Sequence, residues 1–308
     1  MLQSPTKQLF PKWRGDEPYE ARVEPVRRAL YERFPGLASA VEAAPFQRFE
    51  DIQSTQPPML GYTHVSPAMA AFMKAIPDQL RGAWLCALLL WHIERFEEAF
   101  AGSGLDPEFR LQAIDSIHRI LGQIEAGTNW ADVRRDSYMK DLGIVRLSVL
   151  AAVGQLIYPY AGIWRSKVLK GGPRAIWQVY GRCGGARPYL EIHTHDPMAG
   201  DYFNPAGWEE TYRLAAKAFR TFPESRGLLG TSWFYDPQIE TVSPRLAYLR
   251  RVPGAKGAFF LPTGPNPSSV ALATATSPTR RKLYEEGKYV PNPHALLWSR
   301  KDILAHYG

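Results

Sequence analysis

The sequence predicts a mixed α/β (α+β) chain: a helical N-terminal region over residues 1–140 packed on a mixed-sheet α/β region over 141–308. Three observations predict it. Apolar residues recur at helical spacing from about residue 19 to 124. After Trp130 the pattern breaks into short apolar runs punctuated by glycine and proline. Those later runs alternate strand-like and helix-like signals, the order expected of an α/β region.

In the first half, residues 1–18 lack periodicity and are expected to drape over the surface. Within the helical stretch read over 19–50, Val23, Val26, Leu30 and Phe34 repeat at i, i+3 and i+4 until Pro35-Gly36 stops them. Residues 51–66 show turn chemistry, and Ser66-Pro67 is a helix start with Ser as N-cap and Pro at N1. Gly82 to Trp91 (GAWLCALLLW) is about half the ~20 residues a bilayer span needs, so it reads as a buried helix. His92 precedes Phe96 on an aromatic face and reads as a packed histidine.

In the second half, Ala175–Tyr180 and Tyr189–His195 read as strands flanking the Gly181–Gly185 turn, a possible hairpin. Asn204-Pro205 opens a helix to about Phe222. Arg226–Tyr235 reads as a strand, Ser243-Pro244 starts a short helix, and Ala258–Leu261 is another strand. Val270–Ala275 reads as a possible edge strand in a Pro/Ser/Thr/Ala-rich connection. A helix near 279–286 and a strand at Ala295–Trp298 complete the order.

Composition narrows the classes. The chain has 308 residues, two cysteines and a net charge of +7. Cys86 and Cys183 read as thiols of a reducing compartment, and the N-terminus has no secretory pattern, so a cytoplasmic location is expected. Lys and Arg form only short groups such as Arg250-Arg251 and Arg280-Arg281-Lys282, which reads as solvated charge. The expected partner is a small-molecule substrate, with no nucleic acid and no membrane span.

The most informative segment is Tyr189-Leu-Glu-Ile-His-Thr-His-Asp196. Strand alternation puts Tyr189, Glu191, His193 and His195 on one face, an odd set for a core. A carboxylate and an imidazole there suit general-base work near neutral pH. The same residues admit a metal reading, with His193, His195 and Asp196 as ligands of a metal-dependent hydrolase or oxygenase. A third reading is a non-catalytic ligand-binding or partner-binding protein. Trp233 and Tyr235 would share a strand face, as core or as an aromatic substrate wall. Arg182 and Arg187 beside Cys183 would lower its pKa and make a thiol nucleophile conceivable.

The run from a strand through SPRLAYLRR (243–251) to Pro-Gly-Ala-Lys-Gly and Ala-Phe-Phe-Leu resembles the closing strand–helix–strand of GCN5-related N-acyltransferases. The resemblance covers about 120 residues. It implies an acyltransferase that moves an acyl group from a thioester donor, acyl-CoA or an acyl carrier, to a small amine. It implies that Tyr248 protonates the departing thiolate and that Glu191, with His193 next, acts as base. Tyr189, Trp233, Tyr235 and Asn204 are the expected substrate-binding residues. The family's pyrophosphate loop has no counterpart in Asp196–Gly207, and Asp201 with Glu209 and Glu210 in the following helix would oppose an anion.

Overall fold

The computed structural model describes residues 18–55, 66–127, 136–194, 200, 202–275 and 277–308. The segment expected to drape over 1–18 and most of the turn-rich stretch 51–66 lie outside the described residues. The chain divides into two compact units, Met1–Ala151 and Ala152–Gly308.

The first unit is built of helices α1 (Tyr19–Arg33), α2 (Leu37–Ala43), α3 (Phe46–Ser54), α4 (Pro67–Lys74), α5 (Arg81–Ile93), α6 (Phe96–Ser103), α7 (Pro107–Glu125) and α8 (Asp136–Val145). Pro35-Gly36 ends α1 as expected, with Gly36 in the left-handed region at φ 91°. Helix α3 continues to Ser54, past the point where turn chemistry was expected to begin. Ser66 caps α4 by accepting from Met69 N at 3.1 Å, the arrangement its Ser-Pro pair predicts.

Helix α5 is the apolar run at 82–91, and nearly every residue from Gly82 to Leu90 is buried. Its Trp84 ring lies 5.2–5.6 Å from those of Phe46, Phe49 and Phe72, and its indole N–H donates to Ala44 O at 2.9 Å. His92 is a structural histidine, with Nε2 3.1 Å from Glu50 Oε1. On α7, Arg119 forms a buried ion pair with Asp141 of α8.

The chain forms a six-stranded sheet in the order β1-β2-β3-β4-β6-β5, with β1 (Leu150–Ala152) at the boundary and the rest in the second unit: β2 (Gln155–Ala161), β3 (Tyr189–Thr194), β4 (Gly227–Ser232), β5 (Phe259–Pro262) and β6 (His294–Ser299). β3 and β4 run parallel, joined by α11 (Pro205–Thr221), whereas β2–β3, β4–β6 and β5–β6 are antiparallel. The mixed α/β class is the one the sequence predicts.

Three local readings need correction. Ala175–Tyr180 is helical: α9 (Arg165–Lys170) leads into α10 (Gly172–Ile176) and a π-helical turn over Trp177–Arg182. Ala175 and Val179 are fully buried whereas Ile176, Trp177 and Tyr180 are exposed, a helical spacing that overrides the β-branched and aromatic composition. The hairpin across 181–185 therefore does not form. The strand read over 226–235 stops at Ser232, and Trp233–Tyr235 make a 3₁₀ turn. Val270–Ala275 belongs to α14 (Pro267–Ala275), for which Pro267 supplies a helical first turn.

The remaining elements are α12 (Ile239–Val242), a 3₁₀ turn (Pro244–Leu246), α13 (Tyr248–Ala255), α15 (Pro278–Glu285) and α16 (Arg300–Tyr307). Ala175, Val179 and Val168 pack with Tyr189, Leu229 and Leu297 on one face of the sheet. Among the described residues no helix is long and apolar enough to cross a membrane.

Burial and the nearby Arg22 guanidinium lower the pKa of His118 on α7 to about 4 from its ordinary 6.5. The unfolded chain therefore takes up a proton below about pH 6.5 that the folded chain refuses. Stability is full above that pH and falls as pH drops toward 4, by at most about 1.4 kcal/mol per pH unit. Denaturant titrations across this range are expected to show the slope flattened in His118→Gln; an unchanged slope would contradict the assignment.

Candidate active site

β3 and β4 pair only at Leu190–Leu228 and Glu191–Leu229. Both strands continue, β3 to Thr194 and β4 to Ser232, without further pairing to each other. Backbone groups in a sheet need partners, so an interruption between two central strands is a place where a ligand's polar atoms can bind. Gly230 stands at this interruption. A Cβ there would meet the Tyr235 hydroxyl at 3.3 Å and the Ile192 carbonyl at 3.6 Å.

Strand alternation and cross-strand pairing sort the side chains around the interruption. Tyr189, Glu191 and His193 share one face, together with Tyr158, which pairs with Glu191. Glu191 Oε1 and His193 Nε2 are 3.4 Å apart, both side chains about one-quarter exposed, and the Tyr158 ring centroid is 4.7 Å from that of His193. The side chains are partly exposed, but the Nε2 atom that faces Glu191 is itself buried. The two side chains predicted to share a strand face stand beside each other on it.

Tyr248 belongs to the other face. It begins α13, whose Arg250 stacks on Phe260 at 4.4 Å, and Phe260 is paired with Leu296, itself paired with Gly230. Burial pushes the Tyr248 phenol up to about 12, so it is a neutral donor at physiological pH. Its hydroxyl has no hydrogen-bond partner among the described residues. The same is true of Tyr212 OH and Trp208 Nε1 on α11 and of both ends of the Gln155 amide, which pairs across from Thr194. Tyr212 and Tyr235 lie near Tyr248. Buried hydroxyls, an indole N–H and an amide left unpaired are costly in a core and are what a polar ligand would satisfy.

The other expected binding residues have occupied side chains. Tyr189 is fully buried and donates to Gly185 O at 2.7 Å. Asn204 is the N-cap of α11, accepting from Gly207 N at 2.9 Å. Trp233 and Tyr235 sit on the 3₁₀ turn instead of a strand face, Trp233 under the Arg280 guanidinium at 4.5 Å and Tyr235 buried. The Cys183 thiol is buried beside Tyr189 and burial raises its pKa, so it is not the activated thiolate that Arg182 and Arg187 suggested.

For the metal reading, His195, Asp196 and Asp201 lie outside the described residues. Among the described residues no three His, Cys, Asp or Glu side chains are grouped to hold an ion. His294 is buried opposite Ser232 with Nδ1 2.8 Å from Asn292 O. The acids of α11 are neutralised: Glu209 pairs with Lys256 at 3.0 Å, and Glu210 accepts from Arg213 Nε at 2.8 Å. Their opposition to an anion at this helix start is correspondingly reduced.

Tyr212 and Gln155 were not expected. Tyr212 is legible as an inward position of α11, one turn from Trp208, but its polar tip is informative only once it is seen to lack a partner. Gln155 sits in an apolar run where only the register with Thr194 shows that it is buried.

No protein-family model matches the chain, and no curated protein matches it. Among solved structures, one described as the crystal structure of acyltransferase in complex with decanoyl-CoA is similar over 90% of this chain and 99% of that one, at 13% identity and a TM-score of 0.47. A likeness that low carries no argument about function.

The hydroxyls separate by their partners in a way that stability measures. Tyr212→Phe removes an unpaired buried group and is expected to leave the urea midpoint unchanged or raised, whereas Tyr189→Phe removes a bonded one and costs about 1 kcal/mol. Equal losses at both positions would show that Tyr212 is already paired within the fold.

Proposed function

We propose that this chain is an acyltransferase that moves an acyl group from a thioester donor to a small amine. The observation that carries the reading is the interrupted pairing of β3 and β4, with a Glu–His pair on one face and a neutral, unpartnered phenol on the other. A bond exchange needs a base where the nucleophile enters and an acid where the leaving group departs. The resemblance of residues 243–261 to GCN5-related N-acyltransferases supports the same assignment of Tyr248.

In this mechanism the amine nitrogen attacks the thioester carbonyl carbon, forming the C–N bond. Glu191 takes the amine proton, directly or through His193. The tetrahedral adduct collapses with cleavage of the C–S bond, and the sulfur leaves with the electron pair. Tyr248 protonates it, giving a free thiol and an amide, and the phenol regains its proton from solvent. The unpaired donors Tyr212 OH and Trp208 Nε1 and the Gln155 amide are available to hydrogen-bond the acyl chain's polar atoms or the thiol arm. The thioester belongs to CoA or to an acyl carrier.

The direct test is binding followed by turnover. Acyl-CoA at about 100 times its Kd is expected to stabilise the protein by about 2.7 kcal/mol, read as a rise in Tm. With an amine acceptor, Tyr248→Phe and Glu191→Gln are each expected to lower kcat by about 10²–10⁴-fold while the fold is retained. If neither acyl-CoA nor an acyl-carrier thioester raises Tm, the reading is wrong and a non-catalytic binding role gains.

A further inference from the structure

The charge of this chain is uneven in its acids. Between Leu142 and Leu190 there is no Asp or Glu, while seven Lys and Arg lie in that stretch. Those seven equal the entire net charge of +7, so the rest of the chain is balanced. Acids from elsewhere in the chain reach two of the seven, Glu50 pairing with Arg146 at 2.9 Å and Asp302 with Arg182 at 3.1 Å; Arg165, Lys170 and Arg174 are among the other five.

Helices α9 and α10 and the π-helical turn occupy residues 165–182 within this stretch. Their inner face is anchored to the sheet by Val168, Ala175 and Val179, all fully buried. Their outer face is apolar and aromatic: Trp164 is 68% exposed, Trp177 60%, Leu169 53%, Tyr180 43% and Ile176 37%. Arg165, Lys170 and Arg174 are exposed between them. Six of the ten large hydrophobic residues exposed among the described residues fall within 160–180, the sixth being Tyr160. Single exposed apolar residues are ordinary, but a cluster marks an interaction surface.

We propose that this face rests on an anionic lipid bilayer. Trp164 and Trp177 enter the boundary between headgroups and acyl chains, while Arg165, Lys170 and Arg174 meet lipid phosphates. Three features select a bilayer over a protein. Both tryptophans stand out from the surface, where protein interfaces seat aromatic anchors in pockets. Lysine is present among the aromatics, whereas protein interfaces are depleted in it. Tryptophan, tyrosine and cations in one acid-free amphipathic segment are the composition of a helix lying in a membrane interface.

The test is co-sedimentation of the full chain with vesicles, independent of any activity. The protein is expected to sediment with phosphatidylcholine–phosphatidylglycerol vesicles, little with phosphatidylcholine alone, and less as salt rises. The double variants Trp164→Ala/Trp177→Ala and Lys170→Glu/Arg174→Glu are each expected to weaken partitioning by about tenfold or more, with urea midpoints near the parent's because these side chains are exposed. Absence of binding to the mixed vesicles, or equal binding by both variants, would overturn the proposal. So would tight binding to a soluble acidic acyl carrier protein that both variants lose while vesicles are ignored, since that outcome assigns the face to a protein partner.

Discussion

Two residue pairs, Leu190–Leu228 and Glu191–Leu229, are all that joins the parallel strands β3 and β4, and the chemistry available to the second unit depends on that brevity. Parallel strands need a crossover, here the seventeen-residue α11, and the crossover brings Trp208 and Tyr212 against the sheet. Had the pairing run on to Thr194 and Ser232, the backbone groups there would be spent on each other. Gly230 stands at the point of interruption, where a Cβ would press on the Tyr235 hydroxyl at 3.3 Å.

Around the interruption, electrostatics divides the labour. On one face Glu191 and His193 stand together, their side chains about one-quarter exposed. On the other, burial keeps the phenols of Tyr212, Tyr235 and Tyr248 neutral by raising their pKa values, and a neutral phenol can donate a proton whereas a phenolate cannot. Pairing of Glu209 with Lys256 and of Glu210 with Arg213 reduces the acidic field at the start of α11. The Glu191–His193 pair and the buried phenols thus lie on the two sides of one sheet.

Much of the fold was legible because its signals are local. The Ser-Pro start at 66–67, the Asn-Pro start at 204–205 and the Pro-Gly stop at 35–36 each act through one or two residues. The apolar run of α5 was legible as a buried helix for the same reason. Residues 175–180 were misread because their composition favours a strand, while burial of Ala175 and Val179 against Leu229 and Leu297 is a tertiary fact that decides the period. Within the site, alternation alone placed Glu191 and His193 together. It could not show that Tyr189 is a core residue, that Trp233 and Tyr235 lie on a 3₁₀ turn beyond β4, or that Tyr212 and Gln155 bring unpaired polar groups to the opposite face. Those depend on register and packing between elements distant in sequence.

Amide hydrogen exchange at Ile192–Thr194 and Gly230–Ser232, with and without a saturating acyl-CoA, tests the central claim most directly. Occupation of the interruption by a thioester predicts that exchange slows in both segments together, because ligand atoms replace the missing strand partner. Binding that leaves both segments unchanged and protects another part of the chain would contradict it.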